Sequence, residues 1–380
     1  MKILTVTGPL HREFGGPPKS ATEAAAYLAM LGHQVKTIVC GQPIDDTEMN
    51  SGFFVRYSKT GVHVRVLLRR SQSKYGALIK WNELKSVWND VAKSDIIILH
   101  QIYQFQYISI FPILLFLGKP YVVMPHGTLT RYQRKQHWKR KLPFYPATYL
   151  LLKFAKGIFV ATEQEKIELP KYLDNKGIVV GLGIDTKDSQ KQISLESFST
   201  FNLLFMGRIV KKKRLDIALQ AFAMASKKSN LKMKFIVCGT GEESEISSLK
   251  QLVSSLIIES EVEFRGWVDF TEKQMAFQES DCFILTSEDE NFAIAAAEAL
   301  ASGVPCILSS KVALASLVAK HRAGVVFEEL HPPIIEKAIT EIAHMDRQIL
   351  QNSSLSAASE ISWDAVCKQW ETALQSFVKF

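Results

Sequence analysis

The sequence of 380 residues contains 46 Lys and Arg against 38 Asp and Glu, and 47% of its residues are hydrophobic. This length predicts two or three domains, and the composition excludes disordered and fibrous classes in favour of a soluble globular protein. The longest apolar run, about residues 108–117, is too short to span a bilayer, and the chain opens on a strand pattern rather than a signal peptide.

The charge is unevenly divided along the chain. Residues 1–200 contain 27 Lys and Arg and 15 Asp and Glu, a net charge of +12, whereas residues 201–380 contain 19 and 23, a net charge of −4. A basic first half indicates an anionic partner: a membrane surface, a phosphorylated acceptor or nucleic acid. The five cysteines are scattered without metal-ligand spacing, which predicts reduced, buried thiols in a cytoplasmic protein.

The first predicted elements form a βαβ unit. A strand at residues 2–8 is followed by a loop that carries Gly15 and Gly16, and then by a helix with capping-box spacing between Ser20 and Glu23. A glycine pair before a helix lets backbone N–H groups approach a diphosphate, although such a pair is more often only a turn. The G-x-G-x-x-G spacing is absent, which counts against a dinucleotide cofactor.

A histidine follows a later strand of the first half. The strand in the sequence PYVVMPHGTL ends in Pro125-His126-Gly127. The carboxyl ends of parallel strands are where open α/β sheets bind ligands. A lone histidine is most often structural, but this position favours a functional role for His126.

The segment Arg131–Lys156 contains eight Lys and Arg and no acidic residue, with Trp138, Phe144, Tyr145 and Tyr149 between them. This pattern is typical of a surface that lies on anionic headgroups, and it is equally compatible with a solvated basic helix. No nucleic-acid recognition motif accompanies these charges, so we expect no nucleic-acid partner.

The second half opens with a pair of spaced cations. The strand LLFMG delivers Arg208 to a loop, and Lys213 follows five residues later, before a helix. Two fixed cations there can neutralise a leaving diphosphate without a metal. The next strand ends in Gly239-Thr240-Gly241, a G-x-G that is weak support for a nucleotide site by itself.

A strand and a helix meet in the stretch Ser287–Pro305. The sequence predicts Glu290 in the connecting loop, Asn291 as the N-cap, and Glu298 about two turns inside the helix. The first-turn N–H groups, predicted at Phe292, Ala293 and Ile294, would bind a phosphate, and a carboxylate on each side would accept from sugar hydroxyls. Two exposed acids on a core helix are the structural alternative.

Glu-x7-Glu followed by A-L-A-x-G-x-P resembles the signature of retaining glycosyltransferases of the GT4 type, and the Arg208-to-Lys213 spacing and LAMLGHQV are similar to other motifs of that family. The resemblance implies an α/β fold of the GT-B class, in which two Rossmann-like doubly wound domains face each other across a cleft. Three positions depart from the family pattern: Leu182, Arg214 and Ser316.

The resemblance also implies domains and residue roles. We expect an acceptor-side domain at 1–188, a nucleotide-sugar domain at 199–358, and a helix at 360–380 that returns to the first domain. The family roles place sugar hydroxyls at Glu290, the ribose at Glu298 and the reacting sugar near His126. Gly241 and Val268 would line the nucleotide crevice.

We therefore expect a metal-independent, retaining glycosyltransferase that transfers a sugar from a nucleotide-diphosphate sugar to a glycan or lipid-linked acceptor in cell-surface polysaccharide synthesis. No cofactor is expected beyond this co-substrate, and the expected location is cytoplasmic, peripheral on the inner face of the cell membrane. The alternatives are a non-catalytic GT-B subunit that binds a nucleotide sugar, and a sugar-nucleotide epimerase or hydrolase of the same fold.

Overall fold

Two compact units make up the chain. Unit 1 contains Met1–Gly183 and Trp363–Phe380, and unit 2 contains Ile184–Ser362. The structure, a computed structural model, describes residues 1–8, 16–41, 60–68, 78–136, 138–186 and 200–378.

Unit 1 is built on a parallel sheet of seven strands in the order β3-β2-β1-β4-β5-β6-β7. The strands are β1 Lys2–Thr7, β2 Gln34–Gly41, β3 His63–Leu68, β4 Ile96–His100, β5 Tyr121–Met124, β6 Gly157–Val160 and β7 Gly177–Val179. Every residue of β4, β5 and β6 is buried, because helices cover both faces of a parallel sheet. This burial explains the apolar run from which the sequence predicted β5.

Seven helices of unit 1 precede residue 184 in the described part of the chain. They are α1 Gly16–Met30, α2 Trp81–Lys93, α3 Gln106–Phe116, α4 Arg131–Lys135, α5 Trp138–Lys141, α6 Tyr145–Phe154 and α7 Glu163–Ile167. The predicted capping box at Ser20 is wrong, because α1 begins four residues earlier, at Gly16. Pro17 and Pro18 fit the first turn of a helix, where a missing N–H group costs nothing.

Unit 2 is built on a second parallel sheet, in the order β10-β9-β8-β11-β12-β13. Its strands are β8 Thr200–Met206, β9 Lys232–Cys238, β10 Val262–Gly266, β11 Cys282–Leu285, β12 Cys306–Ser309 and β13 Gly324–Phe327. Its helices are α8 Leu215–Lys228, α9 Glu243–Leu256, α10 Phe270–Glu279, α11 Ile294–Ala301, α12 Ala315–His321, α13 Pro332–His344 and α14 Arg347–Glu360.

The strand order reverses once in each sheet, between β1 and β4 in unit 1 and between β8 and β11 in unit 2. Ligands of open α/β folds bind at the carboxyl edge of the sheet beside such a reversal. Two doubly wound parallel sheets confirm the predicted α/β class with Rossmann-like units.

The last described helix, α15 Trp363–Gln375, belongs to unit 1. The indole Nε1 of Trp363 donates a hydrogen bond of 2.9 Å to Glu23 Oε2 in α1. A Cβ on Gly183 would lie 2.2 Å from the Trp363 ring, so only glycine fits there. The glycines beside Leu182, where the chain departs from the family pattern, therefore have a packing role.

Helix length and cysteine burial bear on two further expectations. No helix in the described ranges combines the length and apolar character that crossing a membrane requires. All five cysteines fall within those ranges and are buried without disulfide bonds, as predicted.

Candidate active site

Two loops of unit 2 meet at the carboxyl edge of its sheet, beside the reversal of strand order. One follows β8 and contains a short 3-10 turn at Lys211–Lys213, and the other joins β11 to α11. The Thr286 hydroxyl of the second loop donates to the carbonyl oxygens of Lys213 and Arg214, each at 2.9 Å. The Glu288 N–H donates to the Lys212 carbonyl at 2.9 Å. These bonds fix the lysines of one loop against the acidic residues of the other.

The centre of this cluster is an ion pair between Lys213 and Glu290. Lys213 Nζ lies 3.4 Å from Glu290 Oε2, and Lys212 Nζ lies 3.9 Å from the same oxygen. The side chains of Lys213 and Glu290 are 14% and 20% exposed. The Glu290 backbone is also fixed, because its N–H donates to the Lys311 carbonyl and its carbonyl accepts from the Ala313 N–H.

The charges around Lys213 do not balance. Burial lowers the pKa of Lys213 from its ordinary value, the charges of Lys212 and Arg208 lower it further, and Glu290 opposes them. Arg208 is exposed two residues beyond β8, and within the described ranges its guanidinium has neither a hydrogen-bond nor an ion-pair partner. Lys213 thus has two cationic neighbours and one carboxylate partner, Glu290, and an anion would stabilise this arrangement.

Arg214 occupies a position where the family pattern has glycine, and the structure shows how an arginine fits. Its φ is +46°, in the left-handed region that glycine adopts at no cost. The guanidinium is held by two bonds to Asp216, at 3.0 and 3.1 Å, and one to Glu288 at 3.0 Å. Arg214 therefore ties the two loops together.

The Gly239-Thr240-Gly241 turn after β9 packs directly on the Arg208 loop. A Cβ on Gly239 would lie 1.8 Å from the Gly207 carbonyl oxygen, and one on Gly241 would lie 2.2 Å from the Ile209 carbonyl oxygen. Both glycines are thus required for backbone-to-backbone contact beside the cation cluster.

The start of α11 differs from the sequence prediction. The N-cap is Ala293, at φ +61°, and the helix begins at Ile294, so the prediction of Asn291 as N-cap is wrong. The left-handed residue turns the chain between Asn291 and the helix, and it leaves Phe292 and Ala293 buried. Glu298 is the fifth residue of α11, about one turn inside the helix instead of two.

Glu298 has its own cationic partner. Lys273 Nζ of α10 lies 2.8 Å from Glu298 Oε1, and the same ammonium lies 5.8 Å from the centre of the Phe270 ring. Val268 is partly buried in the loop that precedes α10. Lys273 was not identified as a site residue from the sequence. The only feature that could have indicated it is its position five residues after Val268, which was predicted to line the nucleotide crevice. Lys212, which the sequence did not single out, is also part of the cluster, and its side chain is only 20% exposed.

His126 lies in unit 1, two residues beyond β5, with φ +52°. Its Nε2 is 3.1 Å from Nδ1 of His100, the last residue of β4, and the rings stack with centres 5.4 Å apart. Burial lowers the pKa of His126 to about 3, and burial followed by the nearby His126 lowers the pKa of His100 well below its ordinary value. Both imidazoles are therefore neutral near pH 7, and one ring N–H donates to the other ring.

The glycine pair is only partly described. Gly15 lies outside the described residues, and Gly16 is the first residue of α1. Across the described ranges, no three His, Cys, Asp or Glu side chains come together as a metal site would need. The structure thus joins Lys213 to Glu290 directly, places Arg208 in the same loop as Lys213 and Gly241 in the adjoining loop, and gives Glu298 a separate partner.

Comparison with known proteins identifies the family of both halves. Residues 14–188 match the family model described as Glycosyltransferase Family 4, and residues 186–356 match the model described as Glycosyl transferases group 1. The two matches meet near the point where unit 1 passes into unit 2.

Individual relatives are distant. The GDP-mannose:cellobiosyl-diphosphopolyprenol alpha-mannosyltransferase of Xanthomonas oryzae is 22% identical over 378 residues, which cover 96% of this chain and 94% of that protein. An uncharacterized glycosyltransferase of Methanocaldococcus jannaschii is 24% identical over 170 residues, 44% of this chain and only 43% of the relative.

Among solved structures, HepE of Anabaena, crystallised in complex with UDP and glucose, has a TM-score of 0.76 and 17% identity. The match covers 99% of this chain and 100% of HepE. This similarity shows a shared fold and confirms the predicted GT-B class. The chain belongs to the GT4-type glycosyltransferases, the glycosyl transferases group 1 family.

Proposed function

We propose that this chain is a retaining glycosyltransferase that transfers a sugar from a nucleotide-diphosphate sugar to a hydroxyl group of a glycan or lipid-linked acceptor. The observation that supports this most is the contact of Lys213 with Glu290 beside Lys212 and Arg208. It brings to one edge of one sheet cations that would bind a diphosphate and a carboxylate that would bind sugar hydroxyls. The names of two relatives point the same way, since HepE was crystallised with UDP and glucose and the Xanthomonas enzyme is named for GDP-mannose.

In this proposal the cations act on the leaving group. Negative charge develops on the diphosphate as the bond to the sugar C1 breaks, and fixed cations stabilise it without reorganising. Lys213 is suited to this role because it is held between two loops and its charge is incompletely balanced by Glu290. Arg208 would contact the same diphosphate from the start of the same loop. No metal ion is required in this assignment.

The carboxylates bind the two sugars. Glu290 would accept hydrogen bonds from hydroxyls of the donor sugar, since both its backbone groups are fixed and Lys213 holds its carboxylate in place. Glu298 would accept from the ribose hydroxyls, with Lys273 holding the carboxylate in place. Gly241 and Val268 would line the nucleotide, and the N–H groups of Ala293 and Ile294 would face the phosphates.

Retention follows from attack on the same face as the leaving group. The acceptor oxygen forms a bond to C1 while the C1–phosphate bond breaks, and the departing phosphate takes the acceptor proton. This route needs no covalent nucleophile. Neutral His126 would contribute a hydrogen bond to the reacting sugar.

The first test is a thermal-shift screen with UDP, GDP and ADP sugars, because a ligand of the native state raises the melting temperature. We expect one base to be strongly preferred, and transfer of its sugar to polyprenyl-linked or free glycan acceptors with the α or β configuration of the donor retained. Inversion at C1 would contradict the mechanism. Turnover of donor without acceptor would indicate an epimerase or hydrolase, and binding without transfer a non-catalytic subunit.

The sugar-transfer assay also tests whether the reaction requires a metal ion. Transfer in excess EDTA should equal transfer in added Mg²⁺, because protein cations neutralise the diphosphate. A drop of tenfold or more on chelation, restored by Mg²⁺, would show that a metal carries that role.

A further inference from the structure

A cavity of about 600 Å³ lies in unit 1, within the basic segment Arg131–Lys156 and the elements beside it. Its size is that of a small-molecule site. The walls come from five parts of the chain: the loop after β4, the turn after β5, α4, α6, and the residues after α7. The lining side chains that matter are Tyr103, Arg134, Tyr145, Tyr149, Leu152 and Tyr172.

The cavity wall is aromatic and apolar. Tyr103 and Leu152 are buried at its base, and the Tyr103 and Tyr145 rings meet edge to face with centres 6.0 Å apart. Tyr149 and Tyr172 stand at the mouth, 5.1 Å apart, and are 44% and 49% exposed. Burial raises the pKa of Tyr103, so its phenol stays neutral. An occupant must therefore present apolar surface to the base.

The rim of the cavity is cationic. Arg134 Nη2 makes one long bond of 3.4 Å to the Glu168 carbonyl, while its buried Nε has no hydrogen-bond partner in the described ranges. Lys141 Nζ lies 5.6 Å from the Tyr103 ring centre, and Lys153 Nζ lies 5.7 Å from that of Tyr149. The Glu168 carboxylate, in the residue whose carbonyl accepts from Arg134, already accepts from the Arg131 N–H and from Gln164.

An apolar cavity beneath unbalanced cations fits one class of ligand. The Arg134 guanidinium lines the cavity with one long hydrogen bond to a neutral carbonyl, and a phosphate oxygen would give it a charge-assisted bond. A sugar alone would leave the charge unmatched, and free phosphate would leave the cavity empty. An amphiphile with an apolar chain and a phosphate head matches both parts.

We infer that this cavity binds the apolar chain of a phosphate-bearing lipid, with Arg134 on the phosphate, and that this lipid carries the acceptor sugar. The acceptor role of the lipid rests on the proposed function and makes it more specific. Binding of the lipid in the cavity does not depend on the proposed function. The lipid would fix the acceptor in unit 1 independently of the nucleotide site in unit 2.

Binding is tested on the full chain with dodecyl phosphate below its micelle concentration, by calorimetry and without nucleotide. We expect Arg134→Gln to weaken binding about tenfold, because it removes a charge-assisted bond. The matched control is Lys135→Gln, which removes the same charge from the same helix but lies outside the cavity lining. Equal weakening by both variants would mean general attraction to a basic surface and would overturn the site.

Two further probes and one further pair of variants distinguish the contribution of the alkyl chain from that of the phosphate head. Dodecyl maltoside lacks the phosphate and inorganic phosphate lacks the chain, so either one binding as tightly as dodecyl phosphate would contradict the assignment. Tyr149→Ala should weaken the binding of dodecyl phosphate severalfold. Substitution of the exposed neighbouring residue, Leu150→Ala, should leave this binding unchanged. Circular dichroism of each variant verifies that it is folded.

The acceptor role is tested by transfer kinetics in detergent. Arg134→Gln should raise KM about tenfold for a lipid-phosphate-linked acceptor and leave KM for the nucleotide sugar unchanged. If the variant instead loses only affinity for phosphatidylglycerol vesicles, with acceptor KM unaltered, the ligand is a membrane phospholipid and the acceptor role is wrong. Failure of the proposed function itself would appear separately, as absence of transfer by the unaltered chain.

Discussion

Three consecutive lysines in the 3-10 turn of unit 2 differ in their surroundings. The side chain of Lys211 is 86% exposed, whereas that of Lys213 is 14% exposed and contacts Glu290. Sequence spacing singled out Lys213 and Arg208, because the family motif fixes their separation. It could not identify Lys212 or Lys273 as site residues. Which lysine side chains become buried beside a carboxylate depends on the packing of other elements, and the local sequence does not specify it.

Lys213→Ala should lower the transfer rate about a hundredfold, since it removes a cation that stabilises the leaving diphosphate. Lys211→Ala is the control, because its exposed pair with Glu245 contributes little. Steady-state kinetics with the preferred nucleotide sugar measure both. Near-normal turnover of the Lys213 variant would remove this residue from the mechanism.

The histidine pair of unit 1 gives a pH dependence of stability. Burial lowers the pKa of His126 from 6.5 to about 3. Between these two pH values the imidazole is protonated in the unfolded protein and neutral in the folded protein. The unfolding free energy should therefore fall as pH decreases from 6.5 towards 3, by up to about 1.4 kcal/mol per pH unit for this group.

His126→Asn should flatten this slope, and asparagine tolerates the positive φ of the position. Urea unfolding at several pH values measures the slope, with exposed His63→Asn as the control. If the unfolding free energy of the His126 variant depends on pH as strongly as that of the unaltered protein, groups other than His126 cause the dependence.

At the scale of elements, strands were more predictable than helix starts. The apolar runs in PYVVMPHGTL and LLFMG located β5 and β8, because helices cover both faces of each parallel sheet and bury these residues. The starts of α1 and α11 were misplaced. Ser20 and Asn291 are good cap residues by type, but the proline pair and the left-handed Ala293 decided where each helix begins.

Helix α10 holds Lys273 against Glu298 and is itself fixed by a capping box. The Asp269 carboxylate accepts from the Glu272 N–H at 2.9 Å, and the Glu272 carboxylate accepts from the Asp269 N–H at 2.8 Å. Asp269→Ala should cost about 1 kcal/mol of unfolding free energy and should weaken nucleotide-sugar binding, because the first turn carries Lys273.

Urea unfolding and titration with the nucleotide sugar measure the two effects. The control is Thr271→Ala, an exposed substitution in the same turn. If both variants lose the same stability, the capping box is not the cause.

At the scale of the molecule, the family pattern predicted two Rossmann-like units, and both sheets have the expected reversal of strand order. The tyrosine-lined cavity could not be predicted. Its side chains come from positions 103 to 172 and become neighbours only through the fold, although the basic segment indicated an anionic partner there.

Trp363→Ala should destabilise unit 1 alone, by about 3–5 kcal/mol, because the indole is completely buried against α1 and Gly183. Hydrogen exchange should show lost protection in β1 and β4 and unchanged protection in β8 and β11. Trp267→Ala, which removes a half-exposed ring from unit 2, is the control. Equal loss of protection in both units would show that they unfold together.

The division of unit 1 into two stretches of chain has a consequence for biosynthesis. A ribosome makes Met1–Gly183, then all of unit 2, and only then α15 with Trp363, which packs on α1 and Gly183. At ordinary elongation rates the gap is roughly ten to forty seconds. During that time unit 2, a continuous stretch, can finish folding, whereas unit 1 can reach its final packing only after α15 has been made.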